Sequence, residues 1–167
     1  MTDVEAVTPL VVPLADALRA RGWMLATAES CTGGLVAAAC TTLAGSSDWF
    51  ERGFVTYSNA AKSEQLGVDT ALIAAHGAVS GEVARAMAAG ALAYSRADIT
   101  VAITGIAGPA GAVPGKPVGT VWLAWMHRGG AAQAERLQLV GDRASVRAQT
   151  VALALQRLLM AVRAVTP

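Results

Sequence analysis

One segment of the chain combines a nucleophile with an anion-binding stretch of backbone. A short apolar run ends at Ala28-Glu29-Ser30-Cys31-Thr32-Gly33-Gly34, and a helical pattern follows it. The first N–H groups of a helix have no intrahelical partner and carry the positive end of the helix dipole, which suits an oxyanion or a phosphate. An ordinary helix cap at Ser30 or Thr32 is the alternative. The segment is not a P-loop, because no Gly-Lys-Ser/Thr follows.

A second segment, Thr56-Tyr57-Ser58-Asn59-Ala60-Ala61-Lys62, contains a rare lysine. Of the 13 basic residues, only Lys62 and Lys116 are lysine, and the rest are arginine. Arginine stays protonated, whereas a partly desolvated lysine can lose its proton and act as a general base to a serine. Lys62 is therefore a candidate base in a Ser–Lys pair, with an unspecialised surface lysine as the alternative.

A long loop rich in glycine and proline follows a buried apolar run. It begins with Thr104-Gly105-Ile106-Ala107-Gly108-Pro109 and continues to Lys116-Pro117. Ligand sites in open α/β sheets lie beyond the carboxyl ends of strands, and glycine lets the backbone approach a ligand closely. The loop is a candidate ligand-binding segment, and a purely structural turn is the alternative.

Arg143 and Arg147 lie four residues apart at the start of the last predicted helix. At that spacing they repel each other and oppose the helix dipole. An anion held between them would reverse this cost, and arginine is well suited to phosphate. Pairing with an acidic side chain such as Asp142 or Glu135 is the alternative.

The cysteines and histidines predict no metal site. Cys31 and Cys40 lack zinc-type spacing and are too few for a disulfide framework, and neither His76 nor His127 has a suitable neighbour. Cys31 adjoins Ser30, but no histidine lies nearby in sequence to activate it. We expect two reduced, buried thiols and no metal.

Alternating helical and strand patterns must position these segments. The patterns predict helices over residues 10–21, 32–43 and 59–66, a helix capped by Ser80 and a long helix capped by Asp142. They predict strands over residues 23–28, 53–57, 99–103, 118–126 and 134–140. No linker or repeat interrupts them. We therefore expect residues 1–167 to form a single three-layer α/β/α domain with a mixed, mostly parallel sheet.

The composition excludes several classes of protein. Basic and acidic residues number 13 and 12, a net charge of +1, which argues against nucleic acid and anionic membranes as partners. No apolar run approaches the ~20 residues of a membrane span, and the first residues lack a signal-peptide pattern, so we expect a cytoplasmic protein. Charged residues make up only 15%, which favours exposed apolar surface and a homo-oligomer.

These segments together closely resemble one family, the C-terminal domain of the competence/damage-inducible protein CinA. The likeness follows the family's order across nearly the whole chain. Beyond the runs quoted above, it includes Gly45-Ser46-Ser47, Trp49-Phe50, Gly53-Phe54-Val55, His76-Gly77-Ala78-Val79-Ser80, Val118-Gly119-Thr120-Val121 and Gly141-Asp142-Arg143. The run Ala110-Gly111-Ala112 departs from the acidic or glycine residue that the family often carries after Gly-Pro.

The resemblance implies an activity, because the stand-alone members of this family are nicotinamide-nucleotide amidohydrolases. It implies deamidation of nicotinamide mononucleotide to nicotinate mononucleotide and ammonia, in pyridine nucleotide salvage, without a metal or cofactor. By that likeness Ser30 is the nucleophile, Lys62 its general base, and Tyr57 orients or shuttles a proton. The residues expected to bind substrate are Glu29, Thr32, Gly33, Gly34, Asn59, Thr104, Gly105, Gly108, Arg143 and Arg147.

Two other functions fit the same residues. The first is a non-catalytic nucleotide-binding module that uses the same phosphate-binding groups to regulate a partner. The second is an interaction protein whose apolar surface assembles a larger complex. Binding without turnover would favour the regulatory module.

Overall fold

A five-stranded sheet lies at the centre of the structure, with helices packed on both of its faces. The computed structural model describes residues 4–166. The helices are α1 (Thr8–Arg21), α2 (Leu35–Thr41), α3 (Asn59–Leu66), α4 (Thr70–His76), α5 (Gly81–Ala93) and α6 (Arg143–Ala164). The strands are β1 (Leu25–Glu29), β2 (Phe50–Val55), β3 (Ile99–Gly105), β4 (Thr120–His127) and β5 (Gln133–Gln138).

The strands lie in the order β2-β1-β3-β4-β5. Strand β1 pairs in parallel with both β2 and β3, whereas β4 runs antiparallel between β3 and β5. Only β4 therefore opposes the other strands, which confirms the mixed, mostly parallel sheet. Glu29 pairs with Val55 on one side and Ile103 on the other, so β1, β2 and β3 end at the same edge of the sheet.

Each face of the sheet has its own apolar core. On one face α1, α2 and α6 cover side chains such as Val101 and Ile103, and on the other α3, α4 and α5 cover Ala102 and Ala124. Neighbouring residues of β3 reach opposite cores because successive side chains of a strand alternate between the two faces. The arrangement confirms the expected three layers.

Several local predictions hold because caps and apolar periodicity determine them. Helix α3 has the predicted bounds, and the side chains of Ser80 and Asp142 cap α5 and α6 through the N–H groups of Val83 and Ser145. The predicted stripe of α6 is buried; it consists of Val151, Leu155, Leu158 and Val162.

Other boundaries were predicted wrongly. Residues 32–34 form a turn rather than the first turn of α2, since Gly33 and Gly34 have φ values of 61° and 100°. Helix α4 was not predicted, because it has only seven residues and its capping residue Asp69 gives a weak signal on its own. Strand β2 begins at Phe50 rather than residue 53, because pairing with β1 extends it toward its start.

Candidate active site

Three chain segments meet at the sheet edge where β1, β2 and β3 end. The N–H of Ser30, directly after β1, donates to Ile103 O of β3 at 3.0 Å. The N–H of Thr56, directly after β2, donates to Glu29 O at 2.9 Å. Backbone pairing thus continues past the strands and holds the serine segment, the tyrosine–lysine segment and the glycine-rich loop side by side.

Ser30 and Lys62 are in direct contact at this edge. Lys62 Nζ lies 3.1 Å from Ser30 Oγ and donates to the carbonyl oxygens of Thr56 at 2.9 Å and Tyr57 at 3.3 Å. Lys62 is only 1% exposed and Ser30 8% exposed. The side chain of Ser58 accepts from Ala61 N at 3.0 Å, so the cap of α3 sets the position of Lys62 one turn into the helix.

The surroundings of Lys62 destabilise its charged ammonium relative to an exposed lysine. Burial penalises the charged ammonium and lowers the pKa of Lys62 below its ordinary value. The oxygens around Nζ belong to a hydroxyl and two backbone carbonyls, none of which carries a full charge to offset that penalty. A neutral amine beside a serine hydroxyl can accept its proton, which is the requirement for a Ser–Lys nucleophile.

Glu29 holds the start of α2 rather than facing the cavity. Its buried carboxylate accepts from Thr32 Oγ1 at 2.7 Å, Val36 N at 2.9 Å and Ala37 N at 3.0 Å. These bonds fasten the first turn of α2 to the end of β1, and Ser30 lies between the two anchored parts. Glu29 and Thr32 therefore position the nucleophile segment.

The same bonds change the predicted anion site. The N–H groups of Val36 and Ala37 already donate to Glu29, and Gly33 N donates to Ser30 O at 3.0 Å. Of the turn residues after Ser30, Cys31, Thr32 and Gly34 have N–H groups that donate to no other residue in the described chain. Glu29 thus takes N–H groups in the first turn of α2, and among the free donors the N–H of Cys31 directly follows the serine.

A cavity of about 250 Å³ opens at the Ser30–Lys62 pair. Among the predicted site residues, its lining includes Ser30, Tyr57, Asn59, Lys62, Thr104, Gly105, Gly108 and Arg143. It does not include Glu29, Thr32, Gly33, Gly34 or Arg147. Sequence reasoning missed Ala78 and Val79, which also line it; their segment is joined to β3 by a bond from Thr104 Oγ1 to Ala78 O at 2.8 Å. Ala110 and Gly111 belong to the part of the loop that departs from the family pattern. They also line the cavity, and they contribute no polar side-chain group to it.

Arg143 and Tyr57 form part of the cavity rim. Arg143 Nη2 donates to Tyr57 Oη at 3.0 Å, and Nη1 donates to Gly108 O at 3.0 Å. Tyr57 is 60% exposed, so this rim faces solvent. A guanidinium has five N–H groups, and those left over remain free for an anionic or polar ligand.

Arg143 and Arg147, predicted from sequence to hold one anion between them, bond here to separate parts of the chain. Arg147 Nη2 donates to Thr32 O at 3.2 Å, and its Nε is buried without a partner. The two guanidinium groups thus bond to different segments, although their spacing places them on one face of α6. Pairing with acidic side chains does not occur either; within residues 4–166, Glu135 pairs instead with Arg157, with Nη2 to Oε1 at 2.9 Å.

Cys31 lines the cavity, but its thiol is poorly suited to attack. It is 6% exposed, and burial raises its pKa to about 11. Cys40 is fully buried, and burial raises the pKa of its thiol as well. Both cysteines are free thiols. His76 Nδ1 lies 3.7 Å from Glu82 Oε1.

Residues 4–166 contain neither a metal-binding cluster nor a membrane-spanning helix. No cluster of three or more His, Cys, Asp and Glu residues is placed to hold a metal ion. None of the helices in this range is both long enough and apolar enough to cross a membrane.

The fold and the site define a class of protein: a three-layer α/β domain with a serine–lysine pair at the carboxyl edge of its parallel strands. The family follows from sequence. The chain matches the family model for the CinA C-terminal domain over residues 7–162, and it belongs to that family.

Relatives of known name and structure cover almost the same length. The chain is 53% identical to the nicotinamide-nucleotide amidohydrolase PncC of Escherichia coli K12, over 95% of each chain. It is also 53% identical to the PncC of Pseudomonas putida, over 93% of this chain and 97% of that one. The crystal structure of competence damage-inducible protein A (ComA) from Klebsiella pneumoniae superposes with a TM-score of 0.92 at 41% identity, covering 96% of this chain and 99% of that chain.

Proposed function

We propose that the protein is an amidohydrolase that deamidates nicotinamide mononucleotide to nicotinate mononucleotide and ammonia, in pyridine nucleotide salvage. The names of relatives about half identical over nearly the full chain support this substrate. The observation that carries the chemistry is the 3.1 Å separation of Lys62 Nζ and Ser30 Oγ beside a cavity. An amide is a poor electrophile, so its hydrolysis needs an activated nucleophile of this kind.

The first step is attack by Ser30. Its Oγ forms a bond to the carboxamide carbon, while the neutral amine of Lys62 accepts the hydroxyl proton. The carbonyl π electrons move to the oxygen, which becomes the oxyanion of a tetrahedral intermediate. Burial of Lys62 supports this step, because a lysine with an ordinary pKa would be protonated near neutral pH.

A backbone N–H group next to Ser30 stabilises the oxyanion. Cys31 lines the cavity, and its N–H donates to no other residue among those described. The N–H of the residue after a nucleophile serves this purpose in other hydrolases with a nucleophile at a strand–helix turn. The N–H of Cys31 is therefore the donor that we assign to the oxyanion.

Lys62 then donates the proton that it accepted from Ser30 to the nitrogen of the amide. The intermediate collapses, the C–N bond breaks, and the departing nitrogen takes the proton from the Lys62 ammonium and leaves as ammonia. An ester of nicotinate mononucleotide remains on Ser30. A water molecule deprotonated by Lys62 attacks that ester, and Ser30 leaves with the proton from Lys62, which regenerates both groups.

The rest of the cavity lining binds the nucleotide. Tyr57 and Arg143 at the rim offer a hydroxyl and a partly unbonded guanidinium. Asn59, Thr104, Gly105 and Gly108 surround the position that the nicotinamide or ribose would take. Gly105 has no room for a side chain, because a β-carbon there would lie 2.8 Å from Val121 Cγ2.

Ammonia release from nicotinamide mononucleotide by the purified chain tests the proposed function. We expect turnover between about pH 6 and 9, the range that brackets a lowered lysine pKa. Stoichiometric binding of the nucleotide without ammonia release across that range would contradict the proposal and favour a regulatory binding module.

Three further predictions accompany the proposed function, and each can be measured on its own. A homo-oligomer predicts a sedimentation mass of at least twice the 17.0 kDa of one chain. A single domain predicts one cooperative unfolding transition seen by circular dichroism and by tryptophan fluorescence alike. A cytoplasmic location predicts that the protein fractionates with cytoplasmic markers.

A further inference from the structure

A second cavity adjoins the one that contains Ser30. It measures about 220 Å³ and is lined by Gly77, Ala78, Val79, Ile106, Gly111, Val113 and Lys116. Ala78, Val79, Ile106 and Gly111 line the first cavity as well. We call the Ser30 cavity the inner compartment and the Lys116 cavity the outer compartment; the four shared residues lie between them.

Lys116 is the cationic side chain of the outer compartment. It is half-buried, and its Nζ donates to His76 O at the end of α4 at 2.8 Å. Within residues 4–166 no carboxylate lies within 4.0 Å of this ammonium, and Glu82 lies 3.7 Å from the ring nitrogen Nδ1 of His76. An ammonium has three donors, so two remain for a ligand.

The backbone holds Lys116 in place independently of its side chain. Val113 and Lys116 exchange two hydrogen bonds, Val113 N to Lys116 O at 3.1 Å and Lys116 N to Val113 O at 2.9 Å. Arg136 Nη2 donates to Gly115 O at 2.6 Å from outside the cavity. The bond from Lys116 to His76 O therefore adds to a turn that other contacts already close.

The proposed substrate needs more than one cation at its phosphate end. A phosphate monoester carries close to two negative charges near neutral pH. Arg147, expected from sequence to supply one cation, faces Thr32 O away from the cavity lining. Apart from the proposed base Lys62, the basic side chains that line the two compartments are Arg143 in the inner one and Lys116 in the outer one.

We propose that Lys116 is a specificity-determining residue that binds the phosphate end of the nucleotide from the outer compartment. This inference rests on the proposed function, since it takes the reacting amide to lie at Ser30. The phosphate lies across the ribose from the pyridine ring, and a nucleotide with its amide in the inner compartment would extend its phosphate toward the neighbouring one. Lys116 then discriminates nucleotide from nucleoside.

Ribose 5-phosphate is the probe for this site, because it carries the phosphate without the reacting amide. We expect Lys116→Met to raise its inhibition constant, and the KM for nicotinamide mononucleotide, by about tenfold or more, with kcat changed little. Inhibition by nicotinamide riboside, which lacks the phosphate, should stay the same. Lys116→Arg should recover most of the affinity because it keeps the charge.

Arg136→Met is the matched control, since it removes a cation that bonds to the same turn but lines neither compartment. It should leave the ribose 5-phosphate constant unchanged. Equal weakening of phosphate-bearing and phosphate-free ligands in Lys116→Met, or no change in either, would overturn the inference and leave Lys116 as a cap for α4. Failure of the proposed function is seen separately, as no ammonia release by the wild type, and calorimetric binding of ribose 5-phosphate to wild type and Lys116→Met then still tests Lys116.

Discussion

Lys62 Nζ lies 3.1 Å from Ser30 Oγ, although the two residues are 32 positions apart in the chain. Parallel pairing of β1 with β2 brings the ends of both strands to one edge of the sheet. Helix α3 follows β2 and places Lys62 at that edge, next to Ser30. The pair is buried, so the surrounding protein groups determine its hydrogen bonds and lower the pKa of the lysine.

The pH dependence of turnover should report the proton on Lys62. Burial lowers the pKa of Lys62, and only the neutral amine accepts a proton from Ser30. We therefore expect kcat to rise with pH through that lowered pKa and to level off above it, at a pH below the ordinary lysine range. Lys62→Arg stays protonated and should lose about 10²–10⁴-fold in kcat. A flat profile in the wild type, or near-normal kcat in Lys62→Arg, would contradict the assignment.

Removing the Tyr57 hydroxyl should loosen the cavity rim. Tyr57→Phe takes away the oxygen to which Arg143 Nη2 donates at 3.0 Å, so the guanidinium keeps only its bond to Gly108 O. We expect kcat/KM to fall by roughly tenfold while the melting temperature changes little, because the side chain is largely exposed. Tyr94→Phe, at an exposed tyrosine outside the cavity lining, is the control. If Tyr57→Phe and Tyr94→Phe had the same kcat/KM, the Tyr57 hydroxyl would have no role in the site.

Glu29→Gln should destabilise the protein and slow the reaction together. The amide replaces one carboxylate oxygen with a donor, which would face the N–H of Val36 or Ala37 or the hydroxyl of Thr32. A buried donor left without an acceptor costs about 1–3 kcal/mol of unfolding free energy. Chemical denaturation measures this loss, and Glu64→Gln on the exposed side of α3 should stay within about 0.5 kcal/mol of the wild type. Wild-type stability in Glu29→Gln would show that the bonds to α2 are unimportant.

The native thiols should resist alkylation. Burial raises the pKa of Cys31 to about 11, so almost no thiolate is present near neutral pH, and little of the side chain is accessible. Mass spectrometry after treatment with iodoacetamide should find both cysteines unmodified in the folded chain and modified in guanidinium. Rapid modification of Cys31 in the folded chain would indicate a reactive thiol beside Ser30.

The sequence indicated the parts of the candidate site that depend on local chemistry. The scarcity of lysine singled out Lys62, the helical pattern predicted α3 over residues 59–66, and the glycine-rich loop indicated a ligand site at the end of β3. These signals come from residues that are close together in the sequence, so they can be recognised without knowledge of the tertiary structure.

Features that depend on tertiary contacts were beyond such reasoning. The side chain of Arg147 turns to Thr32 O, and that of Glu29 turns back to α2, although neither direction is encoded in spacing. Ala78 and Val79 line the cavity because Thr104 holds their segment, and alanine and valine carry no chemical signal of their own. Lys116 was noted in the sequence as a rare lysine within the glycine-rich loop, and the second cavity is the observation from which we propose its role in binding phosphate.

Ammonia release by Ser30→Ala, measured with nicotinamide mononucleotide at saturating concentration beside the wild type, tests the central claim most directly. We expect turnover to fall by at least about 10³-fold, because the substitution removes the oxygen that forms the ester, while calorimetry shows the nucleotide still bound. Turnover close to the wild-type rate in Ser30→Ala would contradict the serine–lysine mechanism.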